Sequence, residues 1–219
     1  MKVRTMYRYL DKLLEIEKKK IRTAFNRVSV MGFDELNVIH TRATTQSMYD
    51  QFLSDNESLY LKAAKEAYKK AVHAARADDF DGEETEVDGE WLAGLLAGYN
   101  LVTGYLYNKE ADRKRMRLNE QILTAREYSN RTMFQDSLRR AANLWWTQTT
   151  QYGISSVDEA TIKGFKDMGV EEVQWVAADD EKTCPTCGAR DNKIYKVNKL
   201  PPKPHYGCRC YIVPVKRKE

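Results

Sequence analysis

Proline and cysteine are both missing from the chain before Cys184; all five prolines and all four cysteines of the 219 residues lie at or beyond that point. A long proline-free stretch rich in Leu, Ala, Lys, Arg and Glu permits uninterrupted helices, because proline removes a backbone donor and clashes inside a helix. The proline-bearing end predicts loops and short strands, with the boundary near Gly169. No run approaches the roughly 18 consecutive apolar residues of a spanning helix. Met1 to Arg8 leads straight into charged, helix-like sequence without an apolar signal core, which predicts a protein made and kept in a cytoplasm. Nor are the common catalytic signatures present. There is no HExxH, no GxxxxGK[ST] and no GxSxG, and none of His40, His73 and His205 opens a deaminase-type His-x-Glu.

What is present is a balanced, helix-forming composition. Hydrophobic residues make up 42% and charged residues 31%, enough apolar surface for folding and enough charge to cover one face of each helix. The net charge of +4 permits contact with nucleic acid without requiring it.

Helical spacing recurs along the proline-free part. Met6, Leu10, Leu13, Leu14, Ile21, Ala24, Phe25 and Val28 form a first stripe, interrupted by Glu17 and Lys18 to Lys20, which predicts an exposed middle. Asp34 is placed to cap a second helix through Leu36, Ile39 and Ala43. A third stripe of Ala63, Ala64, Ala67, Ala71, Ala74 and Ala75 predicts close helix packing; whether it joins the second into one rod is open. Trp91, Leu92, Leu95, Leu96, Tyr99, Val102 and Leu106 start another helix, with Asp88 as cap. Its Gly94, Gly98 and Gly104 mark close approach to a neighbour. The pattern resumes through Leu118, Ile122, Ala125, Phe134, Leu138, Ala141 and Trp145. Ser156 to Glu159 reads as a capping box opening a short helix that Gly169 ends.

Between these stripes, Asp78 to Asp88 is acidic. Asp79, Asp81 and Gly82 fit three positions of a calcium loop, but Ala77 would occupy the first ligand position and Asp88 the last. A solvated linker is the better reading. Beyond Gly169 the period becomes two: Val173, Trp175 and Ala177 share one strand face, Tyr211, Val213 and Val215 another, and Lys193 to Val197 forms a weaker third strand. The fold class is therefore mainly α, an extended helical body followed by a small C-terminal α+β, zinc-ribbon-like module. The expected organisation is an N-terminal helical segment (1–77), an acidic linker (78–90), a helical body (91–169) and a Cys/His module (170–219).

The chemistry concentrates in that module. Cys184 and Cys187 are separated by two residues, and Cys208 and Cys210 follow about twenty residues later, the spacing at which two thiolate pairs close a tetrahedron around Zn2+. His205 is a fifth candidate, so that four of the five would bind and either all four sulfurs do or His205 replaces one of the last two. A segment this short cannot bury enough apolar surface to stand alone, and structural zinc contributes roughly 10–16 kcal/mol. The competing readings are a redox pair, a labile disulfide and thiols that share no site. A thioredoxin-like pair opens a helix in a βαβ unit, whereas Pro185 and Thr186 are expected in a loop. A catalytic zinc would require an open coordination position with a base beside it.

The run from Trp175 through Asp179, Thr183, Cys184 and Cys187, then Asp191 to Tyr195, then Leu200 to Cys210 with His205, Cys208 and Arg209, resembles the Mu F-like phage head morphogenesis family. The likeness is strongest over 171–213, and two positions depart from it: Asn192 stands where glycine is usual and Tyr206 where proline commonly follows the histidine. The resemblance implies a phage minor head protein, a low-copy structural part of the procapsid and virion interior assembled in the host cytoplasm and associated with the portal vertex. It acts there in head morphogenesis and in DNA ejection or delivery. Implied partners are the portal, the scaffold or major capsid protein, and packaged DNA, with no membrane and no small-molecule substrate.

Arg113, Lys114, Arg115 and Arg117 form a basic run with Lys109, candidates for nucleic-acid contact, although on a helix they span more than one face. The expected role is thus docking, not catalysis. The rivals are a zinc-ribbon adaptor that binds nucleic acid and a metal-dependent enzyme.

Overall fold

The computed structural model describes residues 7–30, 33, 37–83, 90–91, 94, 105–178 and 183–216. Among these residues the chain forms helices α1 (Arg8–Ser29), α2 (Val38–Ala77), α3 (Tyr105–Glu127), α4 (Arg131–Asp167) and the short α5 (Pro185–Arg190). Strands β1 (Glu172–Val176), β2 (Ile194–Lys196) and β3 (Tyr211–Val215) accompany them. The protein is mainly helical, with its sheet at the C-terminal end, as the loss of proline-free helical sequence beyond Gly169 predicts. No described helix is long and apolar enough to cross a membrane.

α1 buries Leu10, Leu14, Ile21, Phe25 and Val28, and Glu17 is buried with them. The expected exposed middle is therefore corrected at Glu17. Its carboxylate continues the stripe and lies 3.4 Å from Lys20, which also pairs with Asp55 at 2.7 Å. The second and third stripes join into the single 40-residue α2. Its opening differs from expectation. Asp34 lies outside the described residues, and Asn37 caps the helix by accepting from the His40 amide at 2.9 Å. Ile39 is exposed, while Thr41 and Thr45 take the buried face.

Two compact units divide the chain. One comprises Leu14–Ser58 and Ala93–Thr149. Its core is aromatic: the Trp145 ring lies 5.1 Å edge-on from Phe25 and 4.6 Å from Phe52, contacts worth about 0.5–1.5 kcal/mol each beyond area burial. Leu118, Ile122 and Ala125 of α3 and Phe134 and Leu138 of α4 complete it. Two buried polar pairs cross it, Thr45 donating to Asn119 at 2.6 Å and Thr149 to Asn56 at 3.0 Å. Between α3 and α4, Ser129 adopts φ 49° and the Asn130 side chain accepts from the Met133 amide. One residue thus ends a helix and the next starts another.

The second unit comprises Met1–Leu13, Leu59–Leu92 and Thr150–Glu219. Ala63, Ala64, Ala67, Ala71 and Ala75 are buried, and here α4 approaches so closely that a Cβ on Gly164 would fall 2.9 Å from the Ala71 Cβ. Gly153 also serves close approach, a Cβ there falling 2.7 Å from the Leu10 side chain. Gly94 has no described neighbour within 4 Å, and Gly98, Gly104 and the cap at Asp88 lie outside the described residues. Ser156 is buried within α4, so the expected capping box is corrected to mid-helix sequence. The terminator holds: Gly169 has φ 72°, and the Val170 amide reaches back to the Phe165 carbonyl at 2.9 Å.

The sheet order is β2-β1-β3, both pairings antiparallel. Val173, Trp175 and Ala177 are buried together as the alternation predicts. On β3 the expected face shifts by one, because Ile212 and Pro214 are buried while Val213 and Val215 are only partly so. Pro214 is tolerated because β3 is an edge strand, where a missing amide leaves no ladder partner wanting. Of the acidic loop, Asp79 with φ 60° follows the end of α2, and 84–89 lie outside the described residues.

Candidate metal centre

Cys184 begins the site. Its extended backbone makes it the N-cap of α5, Pro185 follows in the first turn, and its sulfur accepts from the Cys187 amide at 3.3 Å. One helical turn then brings Cys187 onto the same side, fully buried. The expectation of a loop is corrected: the pair does open a helix, six residues long. The surrounding sheet is antiparallel, however, so no βαβ frame supports it.

α5 is tied to the sheet. The Asp191 carboxylate accepts from the Ala177 amide at 2.7 Å, and the Asn192 amide donates to the Trp175 carbonyl at 2.8 Å. Asn192 has φ 61°, the left-handed conformation that glycine adopts without cost and that asparagine tolerates better than most residues. Its departure from the family pattern thereby has a conformational reason.

The returning segment supplies the other donors. Gly207, at φ 71°, turns the chain and donates to the Gln151 side chain at 3.1 Å. His205 Nδ1 lies 2.9 Å from the Tyr206 carbonyl, and with the proton on that nitrogen Nε2 is left with its lone pair 3.4 Å from the Cys187 sulfur. The Cys208 sulfur lies 3.6 Å from that of Cys187, far longer than a disulfide bond, and all four cysteines are free thiols.

Two overlapping trios result: Cys184, Cys187 and His205, and Cys187, Cys208 and Cys210, each with donor atoms within 4.8 Å of one another. This cluster could hold a metal ion. All five candidate ligands are brought together, with Cys187 common to both trios. The donor set is sulfur and imidazole, the set that suits zinc better than hard cations. Burial pushes the Cys187 thiol well up and raises Cys208. Crowded, buried thiols stay protonated without a counter-charge, and a divalent cation supplies that charge.

Beneath the ligands lies a polar network that the sequence did not announce. Lys203 donates to both Asp158, at 2.8 Å, and the Cys208 carbonyl, at 3.2 Å. The Tyr7 hydroxyl sits between the Asp158 carboxylate, in a short contact, and the Cys210 carbonyl, at 3.2 Å. Arg209 pairs with Asp11 at 2.8 Å and stacks over the Tyr7 ring. Burial is the main reason that both Tyr7 and Asp158 ionise above their ordinary ranges; Lys203 opposes the shift at Asp158. Lys203 falls inside the proline-rich run before His205, but nothing in the local sequence pointed to Tyr7 or Asp158.

Residues 123–213 match the family model described as Phage Mu protein F like protein. Over that span the chain is similar to the Mu F-like proteins. The match takes in the end of α3, all of α4, strands β1 and β2, β3 as far as Val213 and every candidate ligand, and it covers less than half of the chain. Among curated proteins and among solved structures there is no significant match.

Of the four basic candidates on α3, Arg113 and Arg117 are exposed and Lys114 and Arg115 half-buried. They belong to the unit that does not carry the cysteines.

Proposed function

We propose that this chain is a minor head protein of a tailed phage, a low-copy structural component at the portal vertex whose C-terminal module is stapled by zinc. The match of residues 123–213 to the Mu F-like family model supports a phage head-related role, with other head components as its partners. The observation that carries the proposal further is the convergence of Cys184 and Cys187 with Cys208 and Cys210 and with His205, inside the family-matching segment. In this reading the metal supplies folding energy and the chain acts by docking, without turnover. It works within the procapsid in head assembly and DNA delivery.

Two measurements test it. Elemental analysis of the purified protein is expected to give one zinc per chain, and sedimentation with procapsids carrying or lacking the portal is expected to show portal-dependent association. Metal-free protein would sink the zinc assignment; equal association without the portal would sink the vertex assignment. A second reading, a nucleic-acid adaptor, draws on the exposure of Arg113 and Arg117. Charge reversal at Arg113, Arg115 and Arg117 that leaves DNA retention at low salt unchanged counts against it.

A further inference from the structure

Between α3 and α4, within one compact unit, opens a cavity of about 400 Å3. Lys114, Arg117 and Leu118 line it from one helix and Arg140, Leu144 and Trp145 from the other. The spacings of three and four residues present one continuous face of each helix to the cavity. Leu118 and Trp145 belong to the buried core, whereas Leu144 remains 46% exposed at the cavity wall. Arg117 and Arg140 are exposed. Among the described residues, the lining carries three cations and no carboxylate.

Two ligand chemistries use cations, but only one uses the rest of this surface. A phosphate backbone would neutralise Arg117 and Arg140 and gain nothing from Leu144 or Trp145. A peptide carrying a bulky apolar residue beside carboxylates uses both. The apolar side chain covers exposed leucine and fills a concave pocket, and the carboxylates meet arginine forks that recognise them bidentately. We propose that this cleft docks an acidic segment of a partner protein, one large apolar side chain seated against Leu144 and Trp145 and its flanking carboxylates against Arg117 and Arg140. The inference names the partner's chemistry in the docking role proposed above, and rests on that reading.

The test selects a displayed library of random peptides on the full-length protein. The strongest binder is then titrated by fluorescence anisotropy against the unaltered chain and the variants Arg117→Glu, Arg140→Glu and Leu144→Ser. Enriched peptides are expected to share a Leu, Phe or Trp flanked by Asp or Glu, and each variant to weaken binding by roughly tenfold or more. Thermal melts confirm folding, and Arg117→Gln and Arg140→Gln replace any reversal that fails to fold. Failure to enrich peptides, enrichment of basic or neutral ones, or binding indifferent to the variants overturns the proposal. So does a fluorescent DNA duplex whose binding falls with the arginine reversals but not with Leu144→Ser, which assigns the cleft to nucleic acid. Procapsid sedimentation of the same variants separates the two readings. Association that survives all three substitutions removes the cleft and leaves docking; loss of association in the unaltered chain, with acidic peptides still bound at the cleft, removes the head assignment alone.

Discussion

The Tyr7 hydroxyl lies 3.2 Å from the carbonyl oxygen of Cys210, a residue 203 positions further along the chain. The start of α1 is thereby joined to a candidate metal ligand, with Asp158 of α4 and Lys203 completing the junction. Removing that hydroxyl in Tyr7→Phe leaves the buried Cys210 carbonyl and the half-buried Asp158 carboxylate with one donor fewer. The expected cost is about 1–3 kcal/mol, read as a lower urea midpoint with an unchanged slope. An unchanged midpoint would show the junction to be energetically idle.

Cys187 belongs to both trios, so its loss removes the one donor that they share. Cys187→Ser is expected to abolish stoichiometric zinc. Of Cys208→Ser, Cys210→Ser and His205→Ala, one should retain it and the other two not, which identifies the spare donor. Chelation of the unaltered protein should speed hydrogen exchange at Val173, Trp175 and Ile212, since roughly 10 kcal/mol or more of binding energy leaves with the ion. Exchange at those amides unaltered by chelation would show that the sheet stands without the metal.

The thiols should differ in reactivity once metal is removed. Amide hydrogen bonding from Cys187 lowers the Cys184 thiol below its ordinary range, whereas burial raises Cys187. Because the thiolate is the nucleophile, iodoacetamide should modify Cys184 first and Cys187 slowly, as peptide mapping by mass spectrometry would record. Prior modification of Cys187 would contradict the placement of its sulfur in the interior.

Glu17 provides a pH signature independent of the cysteines. Burial, its largest influence, raises its pKa above the ordinary glutamate range, against the pull of Lys20. An acid with a raised folded pKa holds its proton longer in the folded chain than in the unfolded one. Its stabilising contribution is therefore present below about pH 4.3 and declines as the pH rises through the folded value. Glu17→Gln should remove that decline, leaving the melting temperature flatter across mildly acidic pH. A variant with the same slope as the unaltered chain would refute the assignment.

How much of this was legible beforehand depended on range. The confinement of proline and cysteine to the end of the chain announced helices first and a small sheet last, and the paired thiols announced a common site. Both signals are local, arising from steric exclusion in a helix and from the few residues that a single ion can span. The helix ends were harder to read. Gly169 was visible as a terminator, but Asp79 and Ser129 adopt the same left-handed conformation without glycine, each just past the end of a helix. Ser156 to Glu159 had the composition of a cap yet lies inside α4, because packing of a continuous helix outweighed a local hydrogen-bonding option.

By itself, the sequence determined the mainly helical class, the position of the sheet, the ligand candidates and the family resemblance. Only the tertiary structure decided that Cys187 stands between the two trios, that Tyr7 and Asp158 support them, and that Arg117 and Arg140 share one cleft. The physical reason is distance along the chain. Periodicity and spacing act over a few residues, whereas burial, charge pairing and cavity shape arise when segments tens to hundreds of residues apart exclude water together.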